Sequence, residues 1–326
     1  MAGRPAAATV IVNPNNVIAM NARNEIYNFA SLLPEIATPS LCLQWLASRR
    51  LIRNSYQCPN CQQLASFTVH NGSSDGRRWV CQRCNMRKSV RDGSFFAHSH
   101  LALKQVIILV YCWAYDMPQM QMEHEAEVDS RTTTVDWCNF MREECQIWLA
   151  NNSEVVGGMD DQGDAIVVEI DESKYFHRKY HRGQWHDGHW VFGGIERLSG
   201  KCFLIEVPDR SARALEALIL QFILPGSHIV SDGWVSYANT STLNHGIYSH
   251  SVIVHQQHFV DPNDADIHMQ NIENCWMHAK RKLKRQFGTS RALFPSYLHE
   301  FVFRNRFRGQ DMFAVFLQTV ADNYPM

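Results

Sequence analysis

Apolar and polar positions along this 326-residue chain fall into four successive regimes. Residues 24–53 predict two short helices around Pro34 and Thr38-Pro39, with Leu41, Leu43, Leu46 and Ile52 at roughly helical spacing. Residues 57–91 lack a helical period. They predict short strands at 67–70 and 78–80, set off by the turn pairs Asn71-Gly72 and Asp75-Gly76. Residues 101–151 are helical again, broken near Asp116-Met117-Pro118. After a glycine-bounded loop at 157–163, strands and helices alternate. Strands are predicted at 165–171, 190–196 and 202–207, a helix at 211–223 capped by Ser211, and a strand at 228–231 ending on Asp232. An amphipathic helix at 267–286 closes the series.

A three-stranded meander, a helix, a strand and a later helix is the order that a ribonuclease-H-like α/β fold requires. The predicted division is therefore a flexible tail (1–22), an N-terminal helical segment (23–56), a cysteine-bearing ribbon (57–97), a helical region (98–152), an α/β domain (164–310) and a C-terminal tail (311–326). The first sixteen residues, rich in Ala, Pro and Asn, lack the charged start and long apolar centre of a secretory signal. No stretch reaches the roughly 18 apolar residues of a membrane span. A hydrophobic share of 45% is enough for sizeable cores. Net charge is −1, but it is unevenly spread. Residues 116–172 hold fifteen acidic residues against two arginines, and residues 277–308 hold nine Lys or Arg against one Glu. Such segregation is compatible with local contact to nucleic acid, and equally with solvated faces.

Four of the ten cysteines form two Cys-x-x-Cys pairs, Cys58/Cys61 and Cys81/Cys84, separated by nineteen residues. Each pair presents two sulfurs from one turn, and Zn²⁺ favours four thiolates in a tetrahedron, so one structural zinc is expected. Unrelated pairs or a redox Cys-x-x-Cys are the competing readings. The six scattered cysteines suit a reducing compartment better than a disulfide framework. After the ribbon, three helices joined by tight turns resemble a DNA-binding helix-turn-helix, and generic helical packing is the alternative. Its recognition helix would begin near Ser130 and offer Arg131, Thr132 and Thr133 to DNA.

Phosphodiester transfer by two metal ions needs hard oxygen ligands on rigid elements. Asp171 and Asp232 end predicted strands 61 positions apart, and Glu273 lies 41 positions further on, inside the amphipathic helix. Singly, an Asp at a strand end serves as readily as a turn or cap residue. As a set, the three sit where this fold brings acidic residues together. Lys280 follows Glu273 by seven residues, two helical turns, and so shares its face. It could hold a phosphate there or simply be solvated. Gln270, one turn before Glu273, is a candidate secondary contact. Glu172 should point to the opposite side of the strand from Asp171. Lys174, Arg178, Lys179 and Arg182 make a basic loop after the first strand that could track a DNA backbone, as could Arg281 and Lys284 on the helix. His255 and His258 are possible contacts, each read first as structural.

The ordered segments 168–174 (VEIDESK), 177–183 (HRKYHRG), 190–194 (WVFGG), 208–210 (PDR), 229–234 (IVSDGW), 259–262 (FVDP) and 272–276 (IENCW) resemble Merlin-type DDE transposases. These are relatives of bacterial insertion-sequence transposases that also carry an N-terminal zinc ribbon. The resemblance spans about residues 40–310. It implies Asp171, Asp232 and Glu273 as an acidic triad, with Lys280 as the associated basic residue, and two Mg²⁺ or Mn²⁺ ions per site. It further implies cut-and-paste transposition at terminal inverted repeats, target DNA as partner, at least a homodimer, and a nuclear location if the host is eukaryotic, otherwise cytoplasmic. One departure is His268-Met269-Gln270, where the family usually has His-Thr-Asn or His-Thr-Gln. A transposase-derived DNA-binding protein without catalysis and a ribonuclease-H-like nuclease without strand transfer are the alternatives.

Overall fold

Helix starts in the N-terminal part are written in side chains that satisfy open backbone donors. Asn28 accepts from Ser31 N and Ser31 answers the Asn28 N–H, which begins α1 (Phe29–Glu35). Thr38 accepts from Leu41 N at 3.2 Å, with Pro39 in the first turn of α2 (Pro39–Ser48). The computed structural model describes residues 8–18, 25–152, 155–176, 188–253, 268–285 and 289–326. Within these the chain divides into two units, 1–148 with 309–326, and 149–308.

In the first unit, β1 (Ser66–Val69), β2 (Arg77–Val80) and β3 (Arg87–Ser89) form an antiparallel sheet around the fully buried Trp79. A buried ion pair closes this region. Arg91 Nε donates to Asp75 Oδ2 at 2.7 Å, and the same guanidinium caps the carbonyls of Ser99 and Leu101. Helices α3 (Leu103–Ala114), α4 (Gln119–Glu125) and α5 (Arg131–Asn151) follow. The break predicted near Pro118 separates α3 from α4. Val106 through Ala114 are buried without interruption, so α3 is covered on every side, which explains why its apolar run has no polar face.

In the second unit, β4 (Val156–Gly157) pairs in parallel with β8 (Ile223–Leu224). The main sheet contains β5 (Val167–Tyr175), β6 (His189–Glu196) and β7 (Cys202–Val207) as an antiparallel meander. Helix α6 (Ala212–Phe222), capped by Ser211, leads through β8 to β9 (His228–Asp232), which lies parallel to β5; β10 (Ser249–Ile253) then lies parallel to β9. The strand order is β10-β9-β5-β6-β7, with β5 in the middle. The order of meander, helix, strand and later helix is the one expected for a ribonuclease-H-like fold, and β10 is a strand the sequence expectation lacks. One face packs Val168, Ile170, Phe192, Phe203 and Ile229 against Leu215 and Ile219 of α6. The other takes α7 (Gln270–Arg285), whose buried residues are Ile272, Cys275, Trp276, Ala279 and Leu283. Helix α8 (Phe294–Arg306), absent from the sequence expectation, packs near β7.

The chain then returns to the first unit with α9 (Met312–Asn323). Residues 311–326 were set apart as a tail, yet Phe313, Val315, Phe316, Leu317 and Val320 are buried and the helix packs on α3. Asp311 starts it, accepting from Phe313 N and Ala314 N.

Gly193 of β6 lets α7 approach the sheet. A Cβ there would lie 2.6 Å from the Trp276 ring and 2.7 Å from Leu204. Gly193→Ala is expected to cost about 1–3 kcal/mol through overpacking. Gly233→Ala, whose Cβ would meet only Val252 at 3.9 Å, should cost far less. Denaturant unfolding of both variants checks this, and equal losses would contradict it.

Candidate active site and metal centre

Alternation along β5 separates its side chains by face. Glu169, Asp171 and Ser173 point toward α7, while Val168 and Ile170 enter the opposite core. Asp171 lies opposite Gly193, and its Oδ2 accepts from the Trp276 indole N–H at 3.0 Å. Lys280 donates to Ser173 Oγ, and its ammonium stands 5.0 Å from the Tyr175 ring centre. The parallel register pairs Glu169 with Val230. The pairing ends there, and Asp232, the last residue of β9, is near enough for its charge to act on Asp171. Asp232 Oδ1 accepts from Trp234 N at 2.9 Å, fixing the turn that leaves the strand.

Two acids at this site hold their protons more tightly than usual. Burial pushes the Asp171 carboxyl up to about 7, with the charges of Glu172 and Asp232 adding to it. Burial also raises Glu172, and so does Asp232, partly offset by Tyr237 and Arg210. Tyr237 is raised by burial and by all three carboxylates. β5 continues past the predicted end at Asp171 to Tyr175, so Asp171 and Glu172 sit mid-strand and only Asp232 ends its strand. A concentration of half-compensated negative charge there is what a divalent cation would neutralise. Glu273 is exposed in the first turn of α7, one turn before Trp276 and two before Lys280. Among the described residues no three carboxylates lie within 4.8 Å of one another. Glu273 does not close on Asp171 and Asp232.

Several residues at this site escaped the sequence reading. Trp276 is one. Another is Arg210, whose guanidinium lies between the rings of Trp190 (3.9 Å) and Trp234 (4.4 Å). A cation sandwiched by two indoles comes from three separate elements, so only the basic-aromatic composition hinted at it. Lys174 also lies over Trp190, at 5.4 Å. Glu172 lies on the face away from α7, as expected, opposite Phe192 in the register. Arg178, Lys179, Arg182, His255, His258 and segment 259–262 lie outside the described residues. Arg281 and Lys284 are exposed on α7 and line a surface hollow with Met277 and Arg285. Gln270 is exposed at the start of the same helix. Arg131 and Thr132 are exposed in the first turn of α5, and Thr133 is half-buried.

In the first unit, Cys58, Cys61, Cys81 and Cys84 bring their sulfurs within 4.8 Å of one another. Individual separations are 3.3 Å (Cys58–Cys84), 3.4 Å (Cys61–Cys81) and 4.0 Å (Cys61–Cys84). Four sulfurs each about 2.3 Å from one tetrahedral ion would be about 3.8 Å apart, so this cluster could hold zinc. Its two turns match. Gln62 N donates to Cys58 O and Asn85 N to Cys81 O, and both Gln62 and Asn85 adopt positive φ, near 60°. The set fits a zinc ion better than a redox pair, because sulfurs of the two Cys-x-x-Cys turns face each other.

The ISXO2-like transposase domain matches residues 164–306. An uncharacterized transposase-like protein of Haemophilus influenzae is 30% identical over 100 residues, covering 31% of this chain and 76% of that protein. The chain belongs to the insertion-sequence-type transposases. Asp171, Asp232, Glu273 and Lys280 of the transposase all fall in the matched domain, and the four cysteines fall outside it. Among solved structures, the catalytic core domain of BIV integrase is 12% identical, with a TM-score of 0.31 over 44% of this chain and 84% of that one. The HTLV-2 integrase catalytic core domain with magnesium is 13% identical, with a TM-score of 0.29 over 43% and 84%. Likenesses this distant add nothing to what the strand order already states. No described helix is long and apolar enough to cross a membrane.

The raised Asp171 carboxyl has a consequence for stability. Between its ordinary value of 3.8 and about 7, the folded transposase keeps a proton that the unfolded chain has lost. Stability therefore falls as pH rises through that window, by up to about 4 kcal/mol in full. Without added divalent ions, Asp171→Asn should melt higher than wild type at pH 8 and equally near pH 3. A variant that melts lower at pH 8 would contradict the burial argument.

Proposed function

We propose that this transposase performs cut-and-paste transposition with Asp171, Asp232 and Glu273 as a DDE triad. The observation that carries the reading is Asp171, half-buried in the middle of β5 and held by Trp276 of the helix that bears Glu273, with the charge of Asp232 at the end of β9 acting on it. The three carboxylates would hold two Mg²⁺ or Mn²⁺ ions. Bound there, the ions would activate the attacking oxygen and stabilise the leaving one. The protein's own groups do the positioning. Trp276 fixes one oxygen of Asp171, and Lys280, held at Ser173, supplies a cation for a phosphate on the same face.

Two reactions follow in order. Water adds to the phosphodiester at an end of the element, and the 3′ oxygen leaves as a hydroxyl. That hydroxyl then attacks a target phosphodiester and expels a target 3′ oxygen, so bonds formed and broken balance. The DNA substrates are the terminal inverted repeats and the target site. Exposed Arg281 and Lys284 on α7 support a phosphate-facing surface, as do Lys174 and the basic segment containing Arg178, Lys179 and Arg182. The cysteine cluster serves as a structural zinc ribbon, and α3–α5 serve as a helix-turn-helix offering Arg131, Thr132 and Thr133. Two ends must be handled together, so the working form is a homodimer or larger. A Merlin-type lineage and a nuclear location in a eukaryotic host complete the reading, with a cytoplasmic one otherwise.

Incubation with a DNA end of the element and Mg²⁺, mapping cut and joined products, tests this. Wild type should yield both, and Asp171→Asn, Asp232→Asn and Glu273→Gln should each lose about 10³-fold or more. Cutting without joining would leave a nuclease, and binding without cutting a DNA-binding protein; either result would overturn the proposal. Separately, purified protein should contain one zinc per chain by metal analysis. Cys81→Ser should lose it and weaken DNA binding, because metal contributes much of the folding free energy of so small a ribbon. Full DNA affinity in a zinc-free variant would rule the ribbon out as a structural support.

A further inference from the structure

Glu169 stands two residues before Asp171 on the same face of β5, and its side chain is completely buried. A carboxylate in such a place is costly unless every lone pair is used. Here both oxygens are engaged. Oε1 accepts from Arg197 Nε at 3.0 Å and Asn271 Nδ2 at 2.8 Å, with His268 Nδ1 at 3.4 Å. Oε2 accepts the backbone N–H groups of Asn271 (2.9 Å) and Ile272 (3.0 Å). These are donors that a helix leaves open in its first turn, where the helix dipole favours negative charge. Arg197 also donates from Nη2 to the His268 carbonyl at 2.9 Å, gripping the chain just before the helix. One carboxylate thus ties together the central strand, the residue after β6 and the first turn of α7. Glu273 is the next residue after Ile272.

We propose that Glu169, with Arg197 as its counter-charge, is a positioning device that sets the axial place and rotation of α7 and so aims Glu273 at Asp171. The inference rests on Glu273 being a ligand. Each helical residue turns about 100° and rises about 1.5 Å, so a small slip of the first turn redirects Glu273 altogether. Met269 is buried at 2% exposure, and Asn271 supplies the amide contact to Glu169. A buried pair is weak evidence for stability as such, and its better-attested use is to fix register.

The test uses full-length Glu169→Gln and, in case that variant does not fold, Asn271→Ala, which removes one of the contacts. Amide hydrogen exchange at residues 270–276 should quicken at least about 10-fold relative to α6 in the same protein. The Mg²⁺ concentration for half-maximal cleavage should rise by about 10-fold or more, kcat should fall, and KM for DNA should change little. Folded Glu169→Gln, or Asn271→Ala in its place, with unchanged exchange at 270–276 and unchanged Mg²⁺ dependence would overturn the proposal. So would activity loss that merely tracks the unfolded fraction. Glu273→Gln measured in parallel separates the two levels. If it stays active, the catalytic reading fails. If it is inactive while the Glu169 and Asn271 variants behave as wild type, only the positioning inference fails.

Discussion

Carboxylates buried on a central strand set the terms for everything around them. In β5, Glu169 and Asp171 face an otherwise apolar helix contact, where an unpaired charge is expensive. The unit answers in two ways. At Glu169 it gives full compensation, through Arg197, two helix N–H groups and the Asn271 amide. At Asp171 it gives the Trp276 indole N–H, and burial, with two more acids nearby, leaves the carboxyl pushed up to about 7. Side by side on one strand, the first acid is fully compensated by opposite charge and helix N–H groups and the second is not.

That contrast was half visible in the sequence. The run Val167-Val-Glu-Ile-Asp171 places acids at alternate positions of an apolar strand, so both had to face the same side. Their different fates depend on Arg197, Asn271 and Trp276, which lie 28 to 105 residues away in sequence from the acids they contact, and no local pattern reveals such partners. Strand β10 was missed for a related reason. Ser249-His-Ser-Val-Ile253 lacks an apolar alternation, because its pairing is reinforced by polar rungs: Ser231 Oγ with His250 Nε2 at 2.9 Å, and Ser251 Oγ with His228 Nε2 at 3.0 Å. Helix α9 had a legible apolar pattern but no partner in sequence to say that it would be buried. The uniformly apolar α3 was the matching clue. By contrast α1, α2, α6 and α7 were readable from caps and periodicity, signals that are local by nature.

Family membership rests on the α/β domain, and the N-terminal cysteines lie outside the matched region. Their case is built on geometry alone. Two turns of the same conformation, each with a positive φ four residues after its first cysteine, present four sulfurs to one point. Sequence spacing had already fixed the sulfur count and the ribbon. What the fold adds is a small core beside the knuckles, made by Trp79 and the Arg91–Asp75 pair.

The central claim is that Asp171, Asp232 and Glu273 share divalent ions, although Glu273 does not close on the others here. Anomalous diffraction from Mn²⁺ bound to the protein with a DNA end addresses it most directly. Two Mn²⁺ peaks are expected, with Asp171 between them and Asp232 and Glu273 each ligating one ion. Mn²⁺ peaks bound elsewhere, or at Asp171 and Asp232 with Glu273 turned to solvent, would contradict the assignment.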